Sequence, residues 1–263
     1  MGLFDWFKKK PEADKSAEAS ENALETVLKK AATEPAYRPE FYRLLLLEEL
    51  VVLTRANSLV EGSYTLKENT NVDIATLEDG RIPVFTSTDR IFDKGIIKSQ
   101  VPFMAMKGAD LFNLAKGAKF ILNPYSDFGK ELLQEEVANM LDGTVLDAKH
   151  KQITIEKETQ VLIGQPAVYP QKVVDSLRTL FRTKPVVKAA YLGWIHDPAS
   201  ADPPHLIIGL DLDGEDPSVT NEAGFTAYQC LQPDEIIDII RIRNGGSLVD
   251  YFTQETTPFY VRA

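Results

Sequence analysis

Apolar positions along this chain fall into two periods, one of three to four residues and one of two, and the switches between them mark out its elements. Leu24, Val27, Leu28 and Ala31 share one face of a helix, and Pro39-Glu40 opens a second helix through Tyr42, Leu45 and Leu46. Val51 to Thr54 reads as a strand. The extended runs Val72 to Leu77 and Ile82 to Phe85 flank Glu78-Asp79-Gly80, which predicts a hairpin. Thr86 or Ser87 supplies a cap for a short helix through Ile91 and Phe92. Phe103 to Met106 is extended ahead of a helix over Ala109 to Ala115, and Phe120 to Leu122 is a short buried strand stopped by Asn123-Pro124. Ser126 or Asp127 then caps a helix with Leu133, Val137, Met140 and Leu141 as its stripe.

The texture changes between Asp142 and Glu158, where charged and polar residues surround only scattered apolar ones, and the domain boundary is expected there. Beyond it, Val161 to Ile163 is a strand broken by Gly164-Gln165-Pro166. Pro170 stands at the start of a helix whose stripe is Val173, Val174, Leu177, Leu180 and Phe181, with Arg178, Arg182 and Lys184 near its cation-favouring end. Val186 to Ile195 and Leu206 to Leu212 predict two long strands, and Asp234 to Arg243 a third. Ser247 to Phe252 returns to helix, and Phe259-Tyr260-Val261 makes a last strand. Interleaved helices and strands without regular alternation give an α+β expectation with two domains, 22–145 and 156–263, each a mixed sheet with helices packed on it. A length of 263 residues, 44% hydrophobic and 26% charged, suits two such cores.

Residues 1–21 read differently. Leu3, Phe4, Trp6 and Phe7 cluster on one side of a short amphipathic segment ahead of Lys8, Lys9 and Lys10, and Pro11 to Glu21 is a polar, flexible linker. Cations placed after the apolar residues are the reverse of a signal peptide. Such a segment suits docking against a partner or its own protein, or weak contact with an anionic membrane surface. No run approaches the roughly 18 apolar residues of a membrane span. Cys230 is the only cysteine, so no intrachain disulfide forms and a reducing, cytoplasmic compartment fits. The net charge of -10 opposes nucleic-acid binding.

The usual phosphate, dinucleotide, nucleophile-elbow and zinc signatures are missing, and no cofactor is expected. His150 lies between two lysines, where a solvated ring suffices. His196 and His205 flank the loop between the two long strands; if they stood opposite one another, both rings would leave one face near Asp197 and Asp202 and offer a divalent metal site. Polar residues kept at a hairpin base for solubility are the more ordinary account of them. The run from Asp211 to Asp216 puts its glycine fourth, where a calcium loop needs it sixth, so a turn explains it better. Thr86 and Ser87 are explained by capping, and Cys230 by burial in a semi-apolar run.

The landmarks taken in order resemble the bacterial enhanced serine sensitivity protein B (SseB) family. In the first half these are Pro39-Glu40-Phe41-Tyr42 leading to Leu50-Val51-Val52-Leu53, then Ile82-Pro83-Val84-Phe85-Thr86-Ser87, then Phe120-Ile121-Leu122-Asn123-Pro124. In the second they are Leu162-Ile163-Gly164-Gln165-Pro166, Tyr169-Pro170, Ala189-Ala190-Tyr191-Leu192, His205-Leu206-Ile207-Ile208-Gly209 and Pro258-Phe259-Tyr260. The resemblance implies an N-terminal and a C-terminal SseB domain, no agreed catalytic residues, and a lean toward binding other proteins. The expectation is therefore a non-catalytic protein-binding or regulatory module, linked by the family's name to serine or sulfur amino-acid metabolism. The alternatives are an enzyme or small-ligand receptor with a site between the domains that uses His196, His205 or acidic neighbours, and a peripheral membrane adaptor acting through Leu3, Phe4, Trp6 and Phe7.

Overall fold

A computed structural model describes residues 21–55, 73–147, 161–214, 216–242 and 247–263. The predicted N-terminal segment, most of its linker, His150 and most of the expected boundary lie outside these residues. Among the described residues no helix is long and apolar enough to cross a membrane.

The first half is built on a sheet ordered β3-β1-β2-β4-β5 from the strands β1 (Glu49–Leu53), β2 (Ile82–Phe85), β3 (Phe103–Lys107), β4 (Phe120–Leu122) and β5 (Lys130–Leu132). Only β2 and β4 run parallel; the other neighbours are antiparallel. Strand alternation sorts the core. Leu50, Val52, Ile82, Val84, Phe120 and Leu122 enter the main cluster with Leu24, Leu28, Phe41 and Leu45 from helices α1 (Ala23–Thr33) and α2 (Arg38–Leu47). Val51 and Phe85 face the other way, onto Ile91 and Tyr125. Helices α3 (Gly108–Leu114) and α4 (Gln134–Asp142) complete the helical layer with Leu111, Phe112, Val137 and Met140. Gly108 lies where α2 turns into the sheet: a Cβ there would stand 1.8 Å from the Leu45 carbonyl oxygen, so no larger residue fits.

Two expectations are corrected here. The strand Ile82 to Phe85 pairs with β1 and β4 instead of forming a hairpin with the run before it, of which Ile74 makes an isolated bridge to Thr54. The turn at Gly80 is present, with its positive φ of 81°. Neither Ser126 nor Asp127 caps a helix, because Lys130–Leu132 intervenes as edge strand β5, and Leu133 is the residue preceding α4.

The second half has the order β10-β7-β8-β9, formed by β7 (Val187–His196), β8 (His205–Leu212), β9 (Ile237–Arg241) and β10 (Tyr260–Val261), with β6 (Leu162–Gly164) on the other end of β7's free edge. One face packs Ala190, Leu192, Leu206, Ile208 and Leu210 against α5 (Gln171–Phe181) and α6 (Pro217–Tyr228). On the other face Ile195 and Ile207 meet Phe252, which arrives on the segment following the short helix α7 (Ser247–Asp250). Because β8 and β9 are parallel, a crossover is required, and α6 provides it. This helix was not expected from periodicity. Its buried residues are Val219, Ala223, Gly224, Thr226 and Ala227, and Phe225 packs edge-on against Tyr42 of the first half, with ring centroids 6.2 Å apart. Burial on more than one side leaves no single apolar stripe. Ala36, from the 3₁₀ turn Pro35–Tyr37, joins the second half's core cluster.

A buried polar network ties α1 to the first sheet. Glu25 is 1% exposed and receives two hydrogen bonds from the Arg90 guanidinium, at 2.9 and 2.8 Å. Thr86 Oγ1 donates to the same carboxylate at 2.6 Å, and Ser87 Oγ at 3.3 Å. Asn123, fully buried at a φ of 46°, accepts from the Thr86 amide at 2.9 Å and donates to Thr86 Oγ1 at 3.0 Å. Asn22 caps α1 and donates to the Thr86 carbonyl. The Thr86-Ser87 hydroxyls therefore serve Glu25 and not a helix end. Burial opposes ionisation of Glu25, but the hydrogen bonds from Arg90 and Thr86 outweigh it and hold the carboxyl below its usual 4.5.

Removing one member of a buried ion pair strands the other. Glu25→Gln is expected to cost about 3 kcal/mol in urea unfolding. Since the folded-state pKa of Glu25 is depressed, its contribution is complete above pH 4.5 and is lost as pH falls through the folded value. The wild type therefore loses stability between pH 4.5 and more acidic conditions by a term that the variant lacks. Gly108→Ala is expected to destabilise by at least about 2 kcal/mol, read from the thermal midpoint.

Candidate functional site

A groove of about 780 Å³ opens in the second half, at the end of the sheet where β7 and β8 meet the start of α5 and the exit of α6. One wall is the loop after β6, pinned by Gln165, whose amide donates to the Leu192 carbonyl and to the Tyr251 hydroxyl, both at 2.9 Å. Pro166 and Pro170 stiffen this wall, and Pro170 sets up the first turn of α5. The opposite wall is the chain leaving α6, from Cys230 to Ile236, folded back by Gln232 amide to Glu235 carboxylate at 2.8 Å and by Asp234 at a φ of 71°. Trp194, Pro203, Pro204, His205 and Leu206 line the groove between the walls.

Large apolar side chains meet solvent along the lining, among polar ones. Val168 is 82% exposed and Trp194 38%, with Tyr169 and Leu162 also exposed beside them. Exposed large apolar side chains gathered in one place are the signature of a contact surface. Asp234 and Glu235 form an acidic rim on the α6 side, and Lys172 stands on the α5 side.

The histidine and the thiol of the groove are already committed. His205 has the Pro203 carbonyl 2.7 Å from Nδ1 and Asp238 Oδ2 2.9 Å from Nε2. Both neighbours only accept, so the ring satisfies them together only when it carries both protons. Burial works against that charge, but Asp238 and the Pro203 carbonyl prevail, and the pKa lies above 6.5. A ring so engaged is a poor general base. Cys230 Sγ is 3.3 Å from the Ser176 hydroxyl and 3.5 Å from the Thr226 carbonyl, as in a structural thiol.

The metal geometry sketched from the sequence is not formed. The register pairs His205 with Ile195, one residue short of His196, and a shift of one residue sends the two rings to opposite faces of the sheet. His196 lies opposite Leu162 of β6, with Nδ1 buried and unpartnered. Among the described residues no cluster of three or more histidine, cysteine or carboxylate side chains is arranged for a metal ion.

A second cleft, about 650 Å³, lies between the halves and is lined by Lys29, Arg38, Tyr42, Phe128, Lys130 and Phe225, among others. Neither His196 nor His205 reaches it, contrary to the expected interdomain arrangement. Its cations are occupied: Lys29 pairs with Glu21 at 2.6 Å and lies over the Phe128 ring, Lys130 pairs with Glu136 at 2.9 Å, and Arg38 donates to the Ala31 carbonyl and to Gln229. Tyr42 donates to Glu136 at 2.8 Å; its burial, and then that carboxylate, hold its hydroxyl protonated far above the ordinary range.

Comparison with known proteins agrees with this two-part plan. The SseB protein N-terminal domain matches residues 24–139, and the SseB protein C-terminal domain matches residues 155–262. The chain belongs to the SseB family. It is 32% identical over 248 residues to Protein SseB of Escherichia coli (strain K12), covering 92% of this chain and 93% of that one, and equally to Protein SseB of Shigella flexneri. No solved structure matches. Of the stretches that carried the resemblance, Thr86-Ser87 and Asn123 meet in the buried Glu25 network, while Gln165-Pro166, Tyr169-Pro170 and His205-Leu206 surround the groove of this SseB-family protein. Missing from the sequence reading were Trp194, Val168 and the 230–236 wall. The signal for them was faint: Val168 and Leu231 are apolar residues in loops, and Trp194 merely continues the core-facing alternation of Ala190 and Leu192.

The His205 assignment is open to direct measurement. Nuclear magnetic resonance titration of its ring should give a midpoint above 6.5, which falls when Asp238→Asn removes the carboxylate. With a raised folded-state pKa, the stability this pair contributes is full below pH 6.5 and is lost as pH rises through the folded value.

Proposed function

We propose that this SseB-family protein is a non-catalytic protein-binding module, and that the groove between the β6–α5 loop and the α6 exit is its docking surface. The observation that carries the reading is the exposure of Val168 and Trp194 around a concavity whose ionisable side chains are either paired internally or confined to the rim. An apolar floor with a polar rim is the layout of a protein contact, where a buried aromatic anchor supplies most of the affinity. Proton transfer requires a group free to take up or release a proton beside a reacting atom, and His205 is held on both nitrogens. The interdomain cleft supports small-ligand binding less well, because its cations already have partners.

A photo-reactive phenylalanine analogue at Val168 tests the reading in cells. Irradiation should capture a discrete protein, and Trp194→Ala should reduce that yield at least about ten-fold, equivalent to about 1.4 kcal/mol of lost affinity. Partly exposed as Trp194 is, the same substitution should shift the thermal midpoint by only about 2 °C. Equal capture with and without Trp194, or turnover by the purified chain that survives blocking of the groove, would contradict it.

A further inference from the structure

The groove has a distinctive charge layout, and the chain carries a segment that matches it. Asp234 and Glu235 stand on the α6 side, and among the described residues neither is paired with a cation; Lys172 stands on the α5 side. Between them the surface is apolar, with Val168, Trp194 and Leu231. At the start of the sequence, Leu3, Phe4, Trp6 and Phe7 are followed by Lys8, Lys9 and Lys10, and Asp5 sits among the aromatics. We propose that residues Leu3 to Lys10 of this same chain occupy the groove, their aromatic side chains on the apolar surface and their lysines against Asp234 and Glu235. This deepens the docking reading above and rests on it: an external partner would have to displace the segment.

Reach permits this site and charge favours it. Helix α1 spans eleven residues, a rise of about 16 Å. Near its end, the Ala31 carbonyl accepts from Arg38 at 3.2 Å, and Arg38 also bonds Gln229, the neighbour of Cys230 in the groove wall. The ten residues Pro11 to Ser20 stretch to about 33 Å, enough to run the length of α1 with Arg38's side chain to spare. The interdomain cleft is nearer, but the one carboxylate in its lining, Asp127, already pairs with Lys94 at 2.6 Å, so it offers a lysine run no free opposite charge. Holding the segment on a short tether makes its binding intramolecular, so modest contacts suffice.

The test uses the full-length chain with the photo-reactive phenylalanine analogue at Val168, purified and irradiated at low concentration as a mixture of isotopically heavy and light protein. The expected result is a cross-link to residues 3–7 within one isotopic form. The paired reversal Asp234→Lys and Glu235→Lys should lower the yield at least five-fold, and adding Lys8→Glu, Lys9→Glu and Lys10→Glu to it should restore the yield. Cross-links joining heavy to light chains would overturn the inference in favour of exchange between copies. No cross-link to residues 3–7, or release from water onto anionic vesicles with the groove reversal having no effect, would overturn it outright. If the segment is not captured while the cellular partner still is, this inference fails and the docking reading stands. If neither is captured, both fail.

Discussion

Helix α6 is buried on two sides, and the arrangement of the molecule depends on that. Val219, Ala223 and Ala227 fill the space above its own sheet, while Phe225 leaves the other side to meet Tyr42. The contact is reinforced where the 3₁₀ turn Pro35–Tyr37 sends Ala36 into the second core. Charges follow the same seam. Lys184 pairs with Glu222 of α6 and lies close enough to Glu40 of α2 to help Arg43, the main cause, keep that carboxyl below its usual range. The same helix then ends at Gln229, and the chain leaving it becomes one wall of the groove. One element thus sets how the halves face each other and where the groove lies.

The first half is anchored in a different way. Its signature stretches after β2 and β4 converge on Glu25, whose negative charge is buried because Arg90 reaches it with two donors and Thr86 with a third. Such an arrangement costs desolvation, and its contribution is mainly to specify one docking of α1 on the sheet, since any slip would bury a charge without partners. Asn123 accepts a left-handed backbone to join the network. Thr86, Ser87 and Asn123 are therefore accounted for by their part in this network.

Much of this was legible because burial on one face writes a period into the sequence. The stripes of α1 and α5 and the long strands β7 and β8 follow directly from it. Helix α6 escaped because residues buried on both sides erase the stripe, although Asp216-Pro217 at its start, with Asp216 capping Ser218, was a usable signal. The short strand β5 escaped because at three residues it is too brief to show alternation. His196 and His205 illustrate a harder limit. Their pairing depends on the hairpin register, and one residue of offset, invisible in composition, separates the rings onto opposite faces. The groove was illegible for a related reason, since its walls come from residues 165–173, 194, 203–206 and 230–236, which only the tertiary fold assembles.

Taken together, these contacts describe an SseB-family protein in which a structural seam and a groove wall share one helix. Hydrogen exchange across the whole chain, comparing wild type with Phe225→Ala, tests that link most directly. The account predicts faster exchange in two places, the α2 face around Tyr42 and the groove wall from Gln229 to Ile236. Acceleration confined to the first half, with the wall unchanged, would show that the groove is held independently of the seam and would contradict it.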